Sequence, residues 1–161
     1  MKAIKALVLA CAVLSLAATA GRAEKPNARD SDKVQSCIKS AVGGLREQEK
    51  CIGIIADPCT DSENAKSTAD QVACVAREHA VWDDILNETF RRLRDKLDAK
   101  QKIKLRAMQR AWIESRDRTC AFYWDYFQGT IAATMSAFCQ NRESARRALF
   151  LLGFLADAEG R

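Results

Sequence analysis

From Thr68 onward the apolar residues recur at helical spacing, and no stretch alternates in twos for long. Val75, Trp82, Leu86, Phe90, Leu93 and Leu97 follow one another at steps of seven, four, four, three and four. That period places a single apolar stripe on one helix face. Asp98-Ala99 reads as a turn. A second long helix then carries Leu105, Met108, Trp112, Ile113 and Cys120 to about Phe127, where Gly129 breaks it. A third, capped by Thr130, runs through Met135, Phe138, Ala145, Leu149, Leu152 and Leu155. β-branched residues are scarce, so the expected fold is all-α. It is a small disulfide-stapled helical bundle with a long antiparallel hairpin, since a short link makes consecutive helices antiparallel.

Ahead of Ser67 the pattern thins. Glu24 to Asp30 reads as a loose arm. Ser31 to Val42 reads as a short helix ended by Gly43-Gly44, and Leu45 to Ile55 as another stopped by Asp57-Pro58. Thr60 to Lys66 reads as a polar loop. So sparse a region calls for covalent staples, and Cys37, Cys51, Cys59, Cys74, Cys120 and Cys139 offer three. No C-x-x-C pair is present, which argues against a zinc site and a thioredoxin-like redox role and for disulfides in an oxidising compartment. Many pairings are open. The working assignment is Cys37–Cys51, Cys59–Cys74 and Cys120–Cys139. Cys74 and Cys120 also lie at similar heights in the hairpin, about 24 and 22 residues from its turn, so a bridge between them is the rival.

The first 23 residues read as a cleaved secretory signal: Lys2 and Lys5, then an uncharged run of 15 residues from Ala6 to Ala20, then Gly21-Arg-Ala23. The run is short of the roughly 20 residues a membrane span needs. Cleavage before Cys11 would leave too short a signal core for a lipid anchor. The chain is therefore expected in the periplasm or secreted, not membrane-spanning. Its expected parts are a signal peptide over 1–23, a cysteine-containing segment over 24–66 and a helical domain over 67–161.

Three ordered motifs stand out: Asp83-Asp-Ile-Leu86-Asn87-Glu-Thr-Phe90, Gln109-Arg-Ala-Trp112-Ile-Glu-Ser-Arg116-Asp117-Arg-Thr-Cys120, and Cys139 followed by Ser144-Ala-Arg-Arg147. Together they resemble the exported bacterial family named for LprI, a lysozyme-inhibitor lipoprotein. That family carries D-x-x-LN-x-x-Y, AQRAW-x-x-x-RD-x-x-C, and a later cysteine followed by T-x-x-R. The resemblance spans about residues 68–152, and the segment Cys51 to Cys59 is similar to one branch of the family. Phe90 stands in place of the family's Tyr, Ser144 in place of Thr, and a Gly-rich stretch is reduced to Gly129. The resemblance implies a small helical exported protein that binds lysozyme or another envelope protein. Inhibition would work by occluding the enzyme cleft, without chemistry of its own.

Trp112, Arg116 and Cys120 share one helix face, as do Asp83 and Asn87 on the helix before. In a hairpin turning near residue 98, Asp83 and Asn87 are expected to meet Arg116 and Trp112. A motif that repeats the helix period reads first as packing, so Asp83, Leu86, Asn87, Gln109, Trp112, Arg116, Asp117 and Arg147 are expected to be structural. The alternative is a binding surface, where Trp and Arg are favoured. His79 lacks a partner at ligand spacing and reads as a boundary residue. No zinc-protease, nucleophile-elbow, phosphate-loop or dinucleotide fingerprint occurs, so neither an enzyme nor a metal or cofactor is expected.

Without residues 1–23 the chain carries 23 basic and 21 acidic residues. The charge is uneven: residues 91–118 hold eleven basic and four acidic side chains, for +7. Such a face, with Arg94, Lys96, Lys100, Lys102 and Lys104 at its centre, solubilises the chain or attracts an anionic lipid, lipopolysaccharide or glycan. Nucleic acid is not an expected partner of an exported chain. Because chicken-type lysozyme is strongly basic, an inhibitor would have to present its acidic side to it. Asp57, Asp61, Glu63 and Asp70 are the candidates.

Overall fold

The computed structural model describes residues 26–160. The expected signal peptide over 1–23, with Cys11, lies outside the described residues. The helices are α1 (Ala28–Ser40), α2 (Leu45–Gln48) with a 3-10 turn at Glu49–Cys51, α3 (Ala56–Thr60), α4 (Thr68–Lys96), α5 (Ala99–Tyr126) and α6 (Ile131–Glu159). No strand occurs among the described residues.

The long helices start where side chains satisfy their first N–H groups. Ser67 and Asp70 form a reciprocal capping box at α4, and Asp98 and Gln101 form another at α5. Asp98 is thus both the end of the link and the first anchor of α5. At α6 the Thr130 side chain makes no capping hydrogen bond. The reversal there rests on Gly129, whose φ of 77° suits glycine.

α4 and α6 run parallel. Gln71 meets Thr134, Glu78 meets Asn141, His79 meets Ser144, and Arg92 meets Glu159, in ascending order. α5 runs back along α6, with Cys120 bridged to Cys139, Arg116 near Ser144 and Gln109 bonded to Arg147. Although only Leu97 and Asp98 separate α4 from α5, α5 packs on α6 and α6 packs on α4. The core lies chiefly between α4 and α6, on Val81, Trp82, Leu86, Leu93, Ala145, Ala148, Leu149, Leu151 and Leu155.

This arrangement explains why α5 buries only Leu105 and Cys120. With a single main neighbour it presents one narrow line inward. Met108 and Ile113, expected on the apolar stripe, are 37% and 39% exposed.

The N-terminal segment wraps α4 and α6. α1 starts three residues before the expected Ser31, because Asn27 accepts the Arg29 N–H at 2.9 Å and caps it. The expected Leu45–Ile55 helix is interrupted: it tightens to a 3-10 turn, and the chain then becomes irregular around Gly53 at φ 96°. Asp57-Pro58 does not stop a helix but sits in the first turn of α3, where a proline has no intrahelical N–H to lose. Disulfides join Cys37 to Cys51, Cys59 to Cys74 and Cys120 to Cys139. The rival Cys74–Cys120 bridge is not formed, since α5 lies on α6 and each of those cysteines has another partner. Asp30, nearly buried, accepts both Arg77 Nε and Nη2 at 3.2 and 2.9 Å, tying α1 to α4.

Candidate functional site

The motif residues assemble between α5 and α6. Gln109 Oε1 accepts from Arg147 Nε at 2.9 Å. The Trp112 ring carries the Arg116 and Arg147 guanidiniums at 4.9 and 5.5 Å from its centroid, and Arg147 also lies 5.2 Å from the Phe150 ring. Arg116 donates to Asp117 at 2.8 Å and approaches Ser144 Oγ at 3.4 Å. Burial pushes the Arg147 guanidinium below its usual value. These contacts correct the expectation that Arg116 and Trp112 face Asp83 and Asn87. Asn87 instead donates to Asp83 on its own helix at 2.8 Å. The physical reason is the third helix: α6 brings Ser144 and Arg147 to the α5 face that a two-helix hairpin would have turned toward α4. Leu86 lies in the core, whereas Asp83 and Asn87 line an open groove with Asn27, Asp30 and Arg77.

Glu78 was not singled out in the sequence, yet it is fully buried. Its Oε1 accepts from Gly53 N, Trp82 Nε1 and Asn141 Nδ2 at 2.7, 3.0 and 2.9 Å. Its Oε2 accepts from Ile55 N and Ala56 N at 2.8 and 2.9 Å. Every partner donates, so one carboxylate stitches α4 to α6 and closes the irregular Gly53–Ala56 backbone onto the bundle.

His79, one residue on, shares its Nε2 with Ser144 Oγ at 3.1 Å. Ser144 is fully buried, whereas His79 is half-buried and lines the same open groove as Asp83 and Asn87. Burial lowers the His79 pKa, Asp83 raises it, and Arg116 lowers it. With the folded value below the ordinary 6.5, the unfolded chain binds more protons in the interval between them. The stability contribution is therefore present above about pH 6.5 and is lost as pH falls through the folded value. Melting temperature should fall between about pH 7.5 and pH 5.5, and His79→Gln should flatten part of that slope. An unchanged slope in thermal melts of the variant would remove His79 as its cause.

Among the described residues, exposed aromatics cluster at the α5–α6 tip. Phe122-Tyr-Trp-Asp-Tyr-Phe127 places five aromatics in six positions just ahead of Gly129. Phe122, Trp124, Tyr126 and Ile131 are 60%, 57%, 69% and 46% exposed. Behind them Tyr123 and Phe127 stack with ring centroids 5.8 Å apart, Tyr126 meets Phe127 edge-on at 5.1 Å, and the Cys120–Cys139 bridge clamps the two helices. The signal was available in the sequence: a helix cannot bury consecutive aromatics around its whole circumference against one neighbour.

The tip shares its end of the molecule with the acidic residues. The Thr134–Gln71 hydrogen bond, 3.2 Å, sets the start of α6 beside the start of α4, and the Cys59–Cys74 bridge holds α3 there. Asp61, Glu63, Asp70 and Asp125 are all exposed. Burial, Glu78 and Asp61 together raise the Asp57 pKa. The opposite end holds the α4–α5 link, with Lys96, Lys100 and Lys104 exposed, Lys102 half-buried, and Arg94 paired to Asp95 at 3.1 Å.

No group of three His, Cys, Asp or Glu among the described residues is placed to hold a metal ion. No helix among them is long and apolar enough to cross a membrane. In comparison with known proteins, the family described as "Lysozyme inhibitor LprI" matches residues 59–151. No curated protein and no solved structure matches the chain.

Proposed function

The chain belongs to the LprI lysozyme-inhibitor family, and from that membership we propose that it is an exported protein that inhibits a lysozyme by occluding its substrate cleft with the α5–α6 tip. The observation that carries this reading is the cluster of exposed aromatics on a narrow, disulfide-clamped hairpin end. Trp and Tyr are the residue types that dominate binding energy when a partner desolvates them, and a hairpin end fits a cleft better than a flat helix face does.

Charge supports the same end. A basic enzyme is steered toward exposed carboxylates, and Asp61, Glu63, Asp70 and Asp125 share the end of the bundle that carries the aromatic tip, while the lysine-rich link lies at the other end. Three disulfides fit export into an oxidising compartment. The inhibitor performs no reaction; it excludes substrate.

The test is inhibition of lysozyme by the oxidised protein, titrated beside a reduced and alkylated control. Near-stoichiometric inhibition that disappears on reduction is the expected result. No inhibition of several lysozyme types would overturn the proposal. In a second arm, Asp61→Asn, Glu63→Gln and Asp125→Asn combined should slow association about tenfold at low salt and weaken its salt dependence. Unchanged potency and salt response would remove the acidic rim from the mechanism.

A further inference from the structure

Residues 91–118 divide into two populations of cations. Arg91, Arg92, Arg94, Arg116 and Arg118 are paired with Glu88, Glu159, Asp95, Asp117 and Glu114. Among the described residues no ion pair is made by Lys96, Lys100, Lys102, Lys104, Arg106 or Arg110. The acids of the link are engaged elsewhere, Asp95 by Arg94 and Asp98 as the cap of α5.

The unpaired cations are ordered. At 100° per residue, Lys100, Ile103, Lys104, Ala107 and Arg110 fall on one third of the α5 circumference. The Leu105, Trp112 and Cys120 line that packs toward α6 lies on the other side. All five are exposed, Ile103 by 66%. One exposed isoleucine is ordinary on a protein surface, but here it stands among unpaired cations on a single helix face. A headgroup layer accommodates both, taking cations at its phosphates and a short apolar side chain just beneath.

We infer that this outer face of the first half of α5 docks on an anionic phospholipid surface. The geometry gives docking a consequence. α5 is about 42 Å long at 1.5 Å per residue, and its aromatic end lies at the far end of the bundle from the lysines. A molecule seated by Lys100, Ile103, Lys104 and Arg110 therefore keeps the acidic, aromatic end in solution, available to a soluble partner. The inference does not depend on lysozyme being that partner.

The experiment is vesicle co-sedimentation of the oxidised protein, residues 24–161, with phosphatidylcholine alone and with part of it replaced by phosphatidylglycerol. Binding is expected only with phosphatidylglycerol, falling steeply with salt and about fivefold for each of Lys100→Gln, Lys104→Gln and Arg110→Gln. Ile103→Ser should weaken the salt-resistant remainder. Lys66→Gln, at the other end, and Trp124→Ala should bind like the parent, and the three cation variants should inhibit any susceptible lysozyme undiminished. Equal binding to both vesicles, binding to a soluble polyanion without binding to vesicles, or loss with Trp124→Ala but not with the cation variants would each overturn the inference.

Discussion

Glu78→Gln is expected to be among the most damaging single substitutions in this chain, at about 3 kcal/mol or more, which corresponds to roughly 10 °C in melting temperature for a domain of this size. The side chain is isosteric, so the loss does not come from a cavity. It comes from hydrogen-bond polarity. Gln offers one acceptor and one donating group where Glu78 accepts on both oxygens. If the amide nitrogen faces Ile55 and Ala56, two buried backbone N–H groups lose their acceptor; if it faces the other way, Gly53, Trp82 and Asn141 do. Neither orientation satisfies the site, and water has no access to a side chain that is 0% exposed. The neighbouring Trp82→Phe removes one donor and also shrinks a fully buried indole to a phenyl ring, so a lost hydrogen bond and a cavity should together cost about 2 kcal/mol. Thermal melts of both, followed by circular dichroism, decide the matter. A Glu78→Gln protein melting within a few degrees of the parent would show that the carboxylate is not the clasp described here.

The second large effect falls on function and spares the fold. Trp124→Ala and Tyr126→Ala should each reduce lysozyme inhibition by tenfold or more, and the pair by about a hundredfold, as desolvated aromatic anchors do. Both side chains are more than half exposed in the free protein, so truncation creates no cavity. Trp124→Ala should leave stability within about 0.5 kcal/mol, and Tyr126→Ala, which loses ring contacts with Phe122 and Phe127, should cost about 1 kcal/mol. Trp112→Ala makes the contrast. It empties the space between Arg116 and Arg147, and should lower melting temperature, because Trp112 is partly buried against the core. Inhibition constants unchanged by the tip variants would move the inhibitory surface off the α5–α6 end.

The LprI-like motif is legible in sequence because its residues repeat the helix period, and that same property marks them as packing. Gln109, Trp112, Arg116 and Arg147 form a cation–aromatic seam between α5 and α6. The aromatic run ahead of Gly129 and the lone carboxylate at Glu78 carry no such repeat. The first was readable as more apolar surface than one helix contact can hide. The second was not, since a Glu beside a His looks like any solvated helix position until its five donors are in place.

Local physics decided the helices. The 3.6-residue stripe, Ser67 and Asp98 at their N-caps, and Gly129 at the reversal are properties of short segments, and they placed α4, α5 and α6 to within a few residues. The lack of an alternating pattern fixed the fold class for the same reason. Which helices touch is a different kind of fact. A two-residue link makes α4 and α5 antiparallel but leaves their packing open, and α6, with apolar or small residues on most of its circumference, takes the place against α4 and becomes the support of α5. Three long helices bury more apolar surface around α6 than a two-helix hairpin buries alone. That choice sets the partners of Arg116 and Trp112, leaves Ile103 in solvent, and gathers the aromatic tip and the carboxylates at one end, because it depends on the summed burial of the whole chain and not on any one segment of it.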